Sequence, residues 1–151
     1  MNRKKYSVCF LLDKTVEYVL LQKKNKTIFE GMYNGVGGKI EPGEIPSAGA
    51  LREIKEETGV ELKRKDLHWI ATLTLPQDCD AKGSKELCVL HFYSAIVDLD
   101  LPAQQPGETE ALRWFKVDEV LWSRVMDTLF AGKGDLPYIV YQAVLFHRGE
   151  T

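Results

Sequence analysis

Three glutamates carry the strongest chemical signal in this sequence. Glu53, Glu56 and Glu57 are spaced i, i+3 and i+4 within residues 47–58, where apolar residues recur at helical period. On a helix they share one arc, beside a core stripe of Ser47, Leu51, Ile54 and Thr58. Like charges at these separations repel, and each pair costs a few tenths of a kcal/mol. They also crowd the C-terminal end of the helix, where the macrodipole disfavours anions. A solvated acidic face relieved by Arg52 and Lys55 is the plain alternative, but it leaves the crowding at the wrong end unexplained. A hard divalent cation removes the conflict. Mg²⁺ takes a few carboxylate oxygens together with water and substrate phosphates, so we read the arc as a metal site.

Glycines supply a second half. Residues 30–43 hold five of the twelve glycines, so the backbone there needs positive φ or close approach to a neighbour. In Gly35-Val36-Gly37-Gly38-Lys39, a chain nearly without side chains can bring carbonyls to a cation and amides to phosphate oxygens. Alone such a loop is often only a turn. A short way before an acidic helix it gains weight. No Ser-His-Asp or Cys-His constellation suggests covalent catalysis instead.

The rest of the chain must position these groups. Residues 6–12 and 16–22 are β-branched and aromatic runs around Asp13-Lys14-Thr15 and read as a hairpin. A helix over 47–58 follows the glycine loop, capped by Ser47 or a neighbour and ended by Gly59 in a left-handed conformation. Strands are expected over 67–75, 87–97 and 111–117, with Asp118 and Glu119 opening a helical turn. Residues 136–146 have helical spacing, with Pro137 acceptable in the first turn. The order β-β-loop-α-β-β-β-α predicts an α+β domain, an α-β-α sandwich once helices cover both faces of a mixed sheet.

Composition sets the frame. The 151 residues, 44% hydrophobic with a net charge of −2, suit one folded domain over 1–151 and not a disordered chain. No apolar run approaches the ~20 residues that cross a bilayer, and the start does not read as a signal peptide. A sequence pI near 5.9 gives no support to a non-specific grip on nucleic acid. Cys9, Cys79 and Cys88 form no CxxC and read as reduced thiols. The expectation is a cytoplasmic protein that handles a small molecule.

The segment from Gly38 to Val60 resembles the Nudix box, G-x5-E-x7-R-E-U-x-E-E-x-G-U with U apolar, at every position. Seven fixed residues at ordinary frequencies coincide by chance about 10⁻⁸ times per starting position. The resemblance implies the Nudix fold and a pyrophosphohydrolase acting on a nucleoside diphosphate linked to a moiety X. It implies that Glu53, Glu56 and Glu57 bind Mg²⁺ directly or through water, with Mn²⁺ able to substitute, and that the Gly37 carbonyl is a further ligand. Glu53 or Glu56 would take the proton of the attacking water. Arg52 would orient a box glutamate, Glu44 would hold Arg52 or the loop, and Gly38 and Lys39 would form the phosphate loop. In MutT-like members a later carboxylate completes the set; Glu108 and Glu110 are the candidates, with Glu110 preferred, and two loop carboxylates in water are the alternative.

The substrate is addressed by Tyr33-Asn34-Gly35-Val36-Gly37-Gly38-Lys39, which is similar to the W-N-G-x-G-G-K stretch of oxidised-purine nucleotide hydrolases, with Tyr33 in place of Trp. By that resemblance Asn34 reads a purine edge with its donor and acceptor, and Asp135 and Lys24 also reach the substrate. A turn Asn, a helix-capping Asp and a solvated Lys are the competing roles. The implied reaction converts an oxidised purine nucleoside triphosphate such as 8-oxo-dGTP to the monophosphate and pyrophosphate. The alternatives are another substrate (ADP-ribose, a nucleotide sugar, an ordinary dNTP) or a nucleotide-sensing module without turnover.

Overall fold

The apolar run near the N-terminus forms the spine of a mixed sheet. The computed structural model describes residues 3–23, 32–75, 87–98, 112–122 and 135–150. Strand β1 (Arg3–Leu12) runs parallel to β6 (Leu87–Ile96) along its whole length, Arg3 opposite Leu87 and Leu12 opposite Ile96. Its other edge is shared. Residues 6–9 pair antiparallel with β4 (Val36–Lys39), while Leu11 and Leu12 pair with β2 (Tyr18–Lys23). β2 also pairs with β3 (Tyr33–Asn34) and β7 (Leu112–Lys116), and β5 (His68–Leu75) lies antiparallel to β6 with an irregularity between Trp69 and Ala71.

Period-two alternation divides the spine between two cores. Tyr6, Val8, Phe10 and Leu12 pack with Val117 and Val120 of α2 (Val117–Trp122) and with Ile139, Val140, Ala143 and Val144 of α3 (Asp135–Arg148). Cys9 and Leu11 face the other way, onto Ala50 and Ile54 of α1 (Pro46–Thr58). Helices cover both faces, so the α-β-α sandwich expected from the element order is the architecture. Among the described residues no helix is long and apolar enough to cross a membrane.

Several local expectations are corrected. The glycine loop contains two short strands, β3 and β4. The second strand of the hairpin starts at Tyr18, not Val16; Val16 sits in the turn at φ 56°, held there because its side chain is buried in the core. Helix α1 starts at Pro46, and Ile45 stands at its N-cap without a side-chain hydrogen bond, so Ser47 does not cap it. The proline supplies the pre-set φ of a first helical residue instead. Gly59 does end the helix in the left-handed conformation, its N–H bonded to the Lys55 carbonyl. Cys9 is a buried free thiol, but Cys88 is disulfide-bonded. The expectation of thiols throughout rested on a compartment that spacing does not determine.

Candidate active site

Helix α1 presents its acidic arc to β4 and β2. The buried face of the helix is Gly49, Ala50, Glu53, Ile54 and Thr58, rotated from the apolar stripe so that it includes a carboxylate. Ser47 and Leu51 are only half-buried. Glu53 can sit inside because β4 offers it glycine. A Cβ at Gly38 would lie 2.6 Å from Glu53 Oε1, and one at Gly37 would collide with the Ser7 carbonyl oxygen. The glycine segment therefore meets its backbone requirement by close approach. Among the glycines of residues 32–43, only Gly43 has positive φ, 79°.

Arg52 organises the acidic cluster. Its Nε and Nη2 donate to the two oxygens of Glu44 at 2.9 and 3.0 Å, a bidentate pair. Nη2 also donates to the Lys39 carbonyl at 3.0 Å, and Nη1 to Glu53 Oε1 at 3.0 Å. Nη1 reaches Glu56 at 3.3 and 3.4 Å, a long contact on a mostly exposed side chain. Hydrogen bonds from Arg52 hold the Glu44 carboxyl below the usual carboxylate range, and the Glu44 bonds in turn raise Arg52 above its ordinary value. Helix, box loop and β4 are thereby tied through one guanidinium.

Two residues at this site were missed by sequence reasoning. Gln22, fully buried on β2, donates from Nε2 to Glu57 Oε2 at 2.9 Å. Ser7 is opposite Gly38 on β1, so its side chain faces Glu53's side of the sheet; its hydroxyl is buried without a hydrogen-bond partner among the described residues. Both lie in apolar strand runs buried on both faces, where a single polar residue reads as no more than a break in the run.

Asn34 is buried on β3, and its Oδ1 accepts the Gly35 N–H at 2.7 Å. Tyr33 points to the opposite core, edge-on to Phe115 at 4.9 Å. Lys24, Glu108 and Glu110 lie outside the described residues, and Asp135 opens α3 with its side chain outside them.

The donors suit a hard divalent cation. They are carboxylate and carbonyl oxygens with no thiol or imidazole among them, and Gly38, having no side chain, leaves room for the Glu53 carboxylate beside β4. Among the described residues no three His, Cys, Asp or Glu groups converge into a preformed cage. In this arrangement Arg52 engages Glu53 and Glu56, and Gln22 engages Glu57. The Glu56 contact is the long, exposed one, and exposed pairs of that kind are worth about 0–1 kcal/mol. A cation can take that carboxylate at small cost.

Known proteins resemble this chain in sequence and in fold. A family model described as NUDIX domain matches residues 1–133. An oxidized purine nucleoside triphosphate hydrolase of Mus musculus is 35% identical over 104 residues, 68% of this chain and 60% of that protein. This chain thus spans less than two-thirds of that relative's length. A bis(5'-nucleosyl)-tetraphosphatase (asymmetrical) of Rattus norvegicus is 28% identical over 115 residues, 70% of this chain and 67% of that protein. Among solved structures, a MutT protein from Methanosarcina mazei superposes with a TM-score of 0.69 at 18% identity, covering 93% of this chain and 94% of that one.

Proposed function

The chain belongs to the NUDIX domain family, and from that premise we propose that it is a Mg²⁺-dependent pyrophosphohydrolase of oxidised purine nucleoside triphosphates, such as 8-oxo-dGTP. The observation that carries the reading is the acidic arc of α1 seated against glycine strand β4, with Glu53 buried beside Gly38. Glu53, Glu56 and Glu57, with the Gly37 carbonyl, would hold the metal. Held there, Mg²⁺ would supply charge neutralisation for the phosphates and Lewis acidity toward the attacking water.

The chain's own groups do the rest. Glu53 or Glu56 accepts a proton from the attacking water, whose oxygen bonds to phosphorus as the phosphoanhydride bond breaks. Pyrophosphate leaves, and the nucleoside monophosphate remains. Arg52, held by Glu44, keeps Glu53 turned toward β4. Lys39 and the amides around Gly38 face the phosphates. Cleavage of this kind depends on positioning and electrostatics more than on covalent help.

The purine assignment is supported by the mouse relative's activity and by the Tyr33-Asn34-Gly35 segment. Asn34, with Lys24 and Asp135, would read the base, and Glu110 would add a carboxylate to the metal site. A second reading is favoured by one feature, a cleft along the start of β1 and the box turn whose lining sets Arg3, Lys4, Lys5 and Lys39 against Glu41 and Glu44. With Glu44 already paired to Arg52, the excess of positive charge there suits a longer phosphate chain, in line with the rat tetraphosphatase relative.

One panel tests both. Pyrophosphate and monophosphate release is measured over 8-oxo-dGTP, ordinary dNTPs, ADP-ribose, a nucleotide sugar and a dinucleoside tetraphosphate, with Mg²⁺ and with EDTA. The expected result is greatest kcat/KM for 8-oxo-dGTP and none in EDTA. Highest turnover of the tetraphosphate establishes the second reading; tight binding without turnover makes the chain a sensor. Glu57→Gln is expected to lower kcat by about a hundredfold or more while Tm holds or rises, because one repelling charge is gone.

A further inference from the structure

We infer that Gln22 is a positioning residue for Glu57, orienting this carboxylate for a divalent cation without competing with the cation for its charge. The inference rests on the metal reading above. Gln22 is fully buried on the α1 side of β2, just beyond Leu20, which packs in the α1-side core. A buried primary amide is costly unless bonded, so an apolar residue would be the ordinary occupant of this position. Its backbone is fixed from both flanks, paired with Asn34 of β3 and Leu112 of β7. From that rigid base Nε2 reaches 2.9 Å to Glu57 Oε2, across 35 residues of sequence.

The neutrality of the donor is the point. Glu53 and Glu56 meet the cationic guanidinium of Arg52, which offsets their charge and must share them with any metal. An amide fixes the direction of a carboxylate and adds no positive charge of its own to it. Neutral donors that orient metal-ligating groups from behind contribute to affinity, and their removal costs roughly 10–100-fold. Gln22 also joins two parts of the site, since the residue paired with it across the sheet is Asn34.

The test compares wild type with Gln22→Met, which keeps the chain length and removes the donor. Mn²⁺ binding is followed by loss of the free-ion electron paramagnetic resonance signal, and kcat is measured against Mg²⁺ concentration. Gln22→Met is expected to bind Mn²⁺ about 10–100-fold more weakly, to need correspondingly more Mg²⁺, and to approach wild-type kcat at saturating Mg²⁺. A purely structural role would lower Tm and leave the Mn²⁺ affinity of the folded fraction unchanged, and that result overturns the inference. Should the variant not fold, side-chain amide NMR of wild type decides. The Gln22 amide protons are expected to shift on Mg²⁺ titration, with the Kd seen for the metal; no shift at saturation overturns it. Wild type that fails to bind Mn²⁺ at millimolar concentration defeats the metal reading itself, whereas binding with no effect of Gln22→Met defeats this inference alone.

Discussion

Gly37 and Gly38 are adjacent, yet a methyl group added to each would meet different things. At Gly37 it meets the backbone carbonyl of Ser7 in the paired strand, which has no room to move. Gly37→Ala is therefore expected to cost about 1–3 kcal/mol or more, read as a lowered denaturation midpoint. At Gly38 it meets the Glu53 carboxylate, the end of a rotatable side chain. Gly38→Ala should leave the midpoint nearly intact while kcat falls roughly tenfold or more, because Glu53 is pushed from its seat. Equal effects of the two changes on stability would show that Glu53 does not rest against Gly38. The need for bare backbone here was legible, since five glycines in fourteen residues strip side chains from over a third of the segment. Which neighbour filled the space was not legible, because Ser7 lies thirty residues earlier. Gln22 was equally hidden: a lone amide at the end of Val19-Leu20-Leu21 looks like the strand's polar edge until the helix is placed over it.

At the level of elements, α1 was the most legible part of the chain and its ends were mixed. Period, arc and Gly59 could be read directly. The buried face could not, because a carboxylate counts as polar in any pattern, and only the glycines opposite make room for Glu53. The N-terminus shows what chemistry at the site leaves unused. Ile45 holds the N-cap backbone conformation, φ −76° and ψ 150°, half-exposed and with no side-chain oxygen to offer the first amides. Ile45→Ser is expected to stabilise the protein by about 0.5–1 kcal/mol, read as a higher urea midpoint with unchanged kcat. At the other end Gly59 has φ 77°. Gly59→Ala is expected to cost about 1 kcal/mol, since a Cβ disfavours that conformation. The hairpin and the β5–β6 pair were legible as apolar, β-branched and aromatic runs; β3 and β4 were not, because glycine is a poor strand former and only pairing with β1 and β2 makes this segment extended.

Across the whole molecule, α3 is fastened to the sheet by aromatic and imidazole groups that sequence periodicity left unremarked. The His147 ring nitrogen Nε2 lies 2.9 Å from the buried Ser94 hydroxyl on β6, and His68 of β5 stacks on Phe146. Burial lowers the pKa of both histidines, and His68 lowers that of His147 further. This outweighs the pull of the α3 C-terminus, which would favour a charged imidazole. The sign follows from which state binds protons more readily. The unfolded chain protonates these rings near their ordinary value of about 6.5, the folded chain only at lower pH. Stability is full above that value and falls as pH drops through the window below it. Tm is expected to decline between pH 7.5 and 5.5, and His147→Gln, which can still bond Ser94, to flatten that decline. An unchanged slope would place the acid sensitivity elsewhere.

The ten-residue parallel pairing of β1 with β6 has a consequence for how the protein is made. Every one of those pairs joins positions 84 apart, Arg3 with Leu87 through Leu12 with Ile96. At about 5–20 residues per second, β1 leaves the ribosome roughly 4–17 s before its partner is synthesised. During that interval the run Val8-Cys9-Phe10-Leu11-Leu12 has only the β2 hairpin and then β4 as company, and one of its edges stays open. Arg3, Lys4 and Lys5, immediately ahead of it, place three positive charges at the end of that open edge. Charge beside an exposed strand discourages other chains from pairing with it. The basic start of β1 is thus charge of the kind that discourages such pairing until residue 96 arrives and the spine closes.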